Sequence, residues 1–81
     1  MGSVREKLRS VVARTFRISI DDVDDATAPA AVPAWDSLGQ MDLVTALEQE
    51  FSLEFGLDEI MAMNSVGQIR SVLEARNGAR G

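Results

Sequence analysis

The chain has no cysteine and no histidine among its 81 residues. Without cysteine there is no disulfide and no thiolate zinc site. Without histidine the commonest general base, the commonest metal ligand and every Ser-His or Cys-His nucleophile pair are missing. Few catalytic schemes survive both absences, so the expectation is a protein that is not an enzyme. No apolar run approaches the ~20 residues needed to cross a bilayer, and the first residues carry no signal-peptide core. A cytoplasmic protein with no membrane partner is expected.

Positive charge is missing from the middle of the chain. Arg5, Lys7, Arg9, Arg14 and Arg17 lie before Ile18, and Arg70, Arg76 and Arg80 lie after Ile69, with no Lys or Arg between. That span is acidic, from Asp21 to Glu59, and the net charge is −5. A middle of this kind argues against nucleic acid, which needs cations against phosphate. It suits a partner protein with a basic surface, or serves solubility alone.

A chain of this size makes one domain, taken here as 1–81, with residues 1–3 and 77–81 expected to be frayed or to derive from a tag. Ser3 and Glu6 form a capping-box pattern, and Val4, Leu8, Val11, Val12 and Thr15 recur at helical spacing. This predicts a first helix that fades between Phe16 and Ile18. Residues 19–36 hold an Asp-rich run and both prolines, Pro29 and Pro33, and read as a long loop pinned by Ile20 and Val23. The run is not a calcium-binding EF-hand. Counted from Asp22, the sixth and twelfth positions are Thr27 and Pro33, where Gly and Glu are required. A second helix is expected from Asp36 or Ser37 to Phe51 or Ser52, and a short one over Asp58–Met63 with Asp58 or Leu57 near its start. A last helix, opened by Ser65 and Gln68 and carrying Val66, Ile69, Val72 and Leu73, is expected to end before Asn77. No period-two alternation is sustained. The fold class is all-α, three main helices and one short one in an antiparallel-leaning bundle.

The second helix has two faces. Wound at about 100° per residue from Leu38, Leu43, Val44, Leu47 and Phe51 form a core stripe. Leu38, Met41, Asp42, Thr45 and Glu48 form a second stripe, with Ser37 at its edge. A stripe that mixes apolar and acidic residues suits a partner surface, or else Leu38 and Met41 widen the core. Ser37 begins the capping-box pattern Ser37-Leu38-Gly39-Gln40, though Asp36 can cap instead. A hydroxyl at a helix start also faces the positive end of the helix dipole, where a phosphodiester would be well sited.

The segment Trp35-Asp36-Ser37-Leu38-Gly39-Gln40-Met41-Asp42-Leu43-Val44 resembles the Asp-Ser-Leu signature of acyl carrier proteins. Ala46-Leu47-Glu48-Gln49-Glu50-Phe51 continues it like the second helix of that family. Phe55, Asp58-Glu59, Ser65-Val66 and Ile69 keep the downstream rhythm. The resemblance implies a four-helix bundle of acyl-carrier type with a long loop between helices one and two. It implies 4′-phosphopantetheine bound covalently to Ser37 and an acyl group held on it as a thioester. The partners implied are a phosphopantetheinyl transferase and acyl-loading and acyl-transfer enzymes with basic docking surfaces, met by a monomer. Docking residues carried over from the family are Asp36, Leu38, Met41, Asp42 and Glu48; no catalytic or metal residue is implied. Pro33-Ala34-Trp35, Gly56, and the apolar run Ile60-Met61-Ala62-Met63 depart from fatty-acid carriers. They look more like discrete carriers of specialised bacterial pathways for polyketide, aminoacyl or other small acyl units. The alternatives are an aminoacyl or fatty-acid carrier, or a carrier-like docking module with an unmodified serine. Leu43, Leu47, Phe51, Phe55, Ile60 and Met63 are the candidate lining for a long cargo, but so small a core predicts a short or polar unit held outside the bundle.

Overall fold

In the computed structural model residues 4–78 are described, with side chains through Arg76. Readings that concern Ser3, residues 1–3 and residues 79–81 lie outside them. Four α-helices are present: α1 (Val4–Phe16), α2 (Ser37–Phe51), α3 (Leu57–Met61) and α4 (Val66–Gly78). No strand occurs among the described residues.

Helix α1 is the centre of the packing and meets both α2 and α4. Its stripe of Leu8, Val11, Val12, Ala13 and Phe16 is buried, while Thr15 is only half-buried. From α2 come Leu43, Val44 and Leu47, and from α4 Val66, Ile69 and Leu73. Phe51 and Val72, expected on the core stripes, sit at its edge, partly buried. Both long N-terminal helices end in a Schellman turn. Ile18 N donates to Ala13 O at 3.1 Å and Leu53 N to Glu48 O at 3.1 Å. The left-handed position between is Arg17 in one and Ser52 in the other, where glycine is the usual choice.

The loop from Arg17 to Asp36 is better ordered than its composition suggests. It contains two 3₁₀ turns, Ile20–Asp22 and Pro29–Ala31. Val23, Val32 and Trp35 enter the core. Ile20, expected to pin the loop, is 42% exposed. Its backbone does the pinning: Arg9 of α1 donates to Ile20 O at 2.8 Å and to Val23 O at 2.9 Å. At the far side the loop meets the start of α4, where Val66 N donates to Thr27 O and Gly67 N to Asp25 O. A Cβ on Gly67 would lie 3.0 Å from that Asp25 oxygen, so the approach is as close as glycine allows.

Two boundaries differ from expectation. Helix α3 begins at Leu57, the earlier of the two starts expected, and stops at Met61 rather than Met63. Gly56 N donates to Glu59 Oε1 at 2.9 Å, which fixes the earlier start. Helix α4 runs through Asn77 to Gly78 instead of ending before them. It opens as read: Gln68 N donates to Ser65 Oγ at 3.2 Å, while the Gln68 side chain reaches back one residue further, to Asn64 N at 3.0 Å.

Candidate functional site

The start of α2 separates two tasks that the sequence left shared. Asp36, in extended backbone, is the N-cap, and its carboxylate accepts from Gly39 N at 2.8 Å. Ser37 is therefore the first helical residue and not the cap, and the capping box of Ser37 with Gln40 is not formed. The Ser37 side chain is exposed, and its hydroxyl has no hydrogen-bond partner among the described residues. A free hydroxyl at the positive end of a 15-residue helix is a group open to modification, with backbone N–H groups close by to favour an attached phosphate.

What holds this start in place lies beneath it. Gly39 is buried with the Ala34 carbonyl oxygen directly against its Cα. An added Cβ would run into that oxygen and would also come within 3.1 Å of Phe16 Cε1. Trp35 stacks on Phe16, ring centroids 5.4 Å apart. The residues before Ser37 are thus clamped to α1, and α2 emerges from a rigid corner.

Beside Ser37 an open groove of about 460 Å³ runs between the start of α2 and α3, with Trp35, Gln40, Ile60, Met61, Met63 and Asn64 among its lining residues. Its walls are mostly apolar with a few side-chain amides, those of Gln40 and Asn64. Gln40, seen in the sequence only as a capping partner, bridges the groove. Trp35 Nε1 donates to its amide oxygen at 2.6 Å, and its amide nitrogen donates to Ile60 O at 3.2 Å. The available signal was a tryptophan five residues earlier whose indole N–H needs an acceptor when buried.

The expected docking residues divide. Leu38 is 78% and Met41 53% exposed, so they do not widen the core. Asp36 and Asp42 are exposed beside them, and neither is in an ion pair among the described residues. Leu57 and Met61 of α3, 71% and 67% exposed, add apolar surface that the sequence reading did not include. Glu48 stands apart: it is half-buried, and its carboxylate accepts from Phe55 N at 2.9 Å, tying α2 to the segment before α3. Three arginines are engaged elsewhere, Arg14 with Glu50, Arg70 with Asp25 and Glu74, and Arg76 with Glu59. The negative field at the α2 start is left uncompensated by them.

No group of His, Cys, Asp and Glu suited to a metal ion occurs among the described residues. An exposed, uncommitted serine at a helix start, backed by a clamped corner and flanked by a groove, fits a tethered phosphodiester arm. Residues 6–73 match the family described as the phosphopantetheine attachment site. The chain therefore belongs to this family of carrier domains, whose members bind 4′-phosphopantetheine covalently.

Proposed function

We propose that this protein is an acyl carrier that holds its cargo on a 4′-phosphopantetheine arm attached to Ser37. The observation that carries the reading is that Ser37 is exposed and hydrogen-bond-free because Asp36 performs the capping. The arm supplies the thiol that the cysteine-free chain lacks, on which an acyl group is held as a thioester. The chain's own part is to fix the attachment point, offer the groove and dock its partners; it needs no general base of its own. Transferase and acyl-handling enzymes with basic surfaces meet the protein at Asp36, Leu38, Met41 and Asp42, with Glu48 at the margin. Apolar contact there gives affinity, and the unpaired carboxylates give orientation and association rate. The protein is read as non-catalytic, and no helix among the described residues is long and apolar enough to cross a membrane.

The cargo is a short or polar unit of polyketide or other specialised biosynthesis. Leu43, Leu47 and Met63, candidate lining for a long chain, are at most 1% exposed and already packed, so a long apolar chain would find no space ready for it. The test is incubation with coenzyme A and a promiscuous phosphopantetheinyl transferase, read by intact mass. One adduct on the wild type and none on Ser37→Ala is expected. An adduct that persists in Ser37→Ala would overturn the assignment, and a wild type that takes none would favour an unmodified docking module.

A further inference from the structure

Gln40 has a position and a set of bonds that helix initiation does not require. It lies three residues into α2 from Ser37, half-buried. Through its amide oxygen it holds the Trp35 indole at 2.6 Å, and through its amide nitrogen the carbonyl of Ile60 at 3.2 Å and, more loosely, that of Met63 at 3.4 Å. One side chain thus joins the end of the long loop, α2, and the backbone on either side of the α3 C-terminus. Helix α3 has five residues, far too few to persist without tertiary support, so bonds of this kind matter to where it sits. The groove beside Ser37 has Gln40, Ile60 and Met63 in its lining, and Leu43 and Leu47 of the same helix α2 are fully buried. A long apolar chain tethered at Ser37 can pass beyond this open groove into the buried core only by lifting α3 from α2. That movement parts Gln40 from the two carbonyls and leaves its amide facing hydrocarbon, an unfavourable exchange. A short or polar chain stays in the outer groove and leaves all three bonds intact.

We propose that Gln40 is the positioning residue that sets the cargo class of this carrier: by holding α3 against α2 it admits short or polar acyl groups to the groove and keeps long apolar ones out of the bundle. The inference rests on Ser37 being the attachment point. The experiment loads wild type and Gln40→Met, which keeps side-chain length but removes the three bonds, with acetyl and octanoyl groups from the corresponding coenzyme A thioesters. Intact mass verifies the adduct, and thermal midpoints and amide hydrogen exchange are then compared. The wild type should show near-equal midpoints for the two cargoes. In Gln40→Met the octanoyl form should exceed the acetyl form by about 4 °C or more, with slower exchange at the α2 amides around Leu43 and Leu47. A purely structural role for Gln40 would lower both forms together and leave no dependence on chain length. Should Gln40→Met not fold, Gln40→Glu, which keeps an acceptor for Trp35 but loses the donors to Ile60 and Met63, carries the same comparison. Equal midpoints in the variant, or an octanoyl rise already in the wild type, overturn the role of Gln40. A wild type that takes no adduct overturns the attachment reading and this one with it, so the two failures are distinguishable.

Discussion

Two adjacent side chains at the start of α2 divide stability from chemistry. Asp36 satisfies a backbone N–H of the first turn, and Ser37 satisfies none. Asp36→Ala should therefore cost about 1 kcal/mol, while Ser37→Ala should stay within about 0.5 kcal/mol of wild type, as exposed substitutions do. Urea titrations of the two variants check this, and a Ser37→Ala loss equal to that of Asp36→Ala would show that the hydroxyl caps the helix after all. The sequence offered both residues as caps and could not choose, because Asp and Ser are about equally good N-caps. The choice is made by the corner beneath, where the Ala34 carbonyl and Phe16 fix the path of the chain into Gly39.

At the scale of elements, that corner makes a strong prediction. Gly39→Ala places a methyl group against backbone, which cannot swing aside as a side chain would, so a loss of roughly 1–3 kcal/mol or more is expected. A thermal midpoint within a degree of wild type would mean that the corner is looser than described. The docking face can be tested in the same helix. Asp42→Lys should slow modification by a basic transferase at low salt, with the difference shrinking as salt rises. Glu74→Lys, on α4 beside Arg70, should slow it far less. Equal rates for the two would remove α2 as the docking face. Glu48→Lys is the weaker probe, because its carboxylate also holds Phe55 N and reversal would disturb the segment before α3. The C-terminal limit of α1 and the position of α2 were legible from spacing, since both depend on residues close in sequence. Glu48 and Gln40 were not, because their partners lie 7 and 20 residues away. The start of α3 stayed open between Leu57 and Asp58 because it is set by Glu59 reaching back to Gly56, without an N-cap side chain to mark it, and its end falls two residues short of Met63.

Across the whole molecule, the first half of the long loop is fastened twice, to α1 through Arg9 and to α4 through Asp25 and Arg70. Arg70 grips both carboxylate oxygens of Asp25, the shorter bond 2.6 Å. The hydrogen bond from Arg70 holds the Asp25 carboxyl below its usual range, and the same bond raises Arg70. A carboxyl depressed in the folded state contributes stability that is present above its unfolded value, about 3.9, and is lost as pH falls through the lower folded value. Acidification below about pH 4 should thus loosen this junction. Arg70→Ala should remove that part of the acid sensitivity, which pH titration of hydrogen exchange at Val66 and Gly67 would read. Identical acid profiles in variant and wild type would show that the pair contributes nothing to the junction. The family resemblance reached the fold from the sequence, but it could not reach the loop's two anchors, since Asp25 and Arg70 stand 45 residues apart.

The protein has a single tryptophan and no tyrosine, and that one indole is Trp35, stacked on Phe16 and bonded to Gln40 at the wall of the groove. Its ultraviolet emission therefore comes from one known place, two residues from Ser37, the proposed point of attachment. Addition of the arm, arrival of a cargo in the groove, or movement of α3 would each change the surroundings of the same fluorophore. The carrier contains its own optical probe, and its loading can be followed in real time without a label.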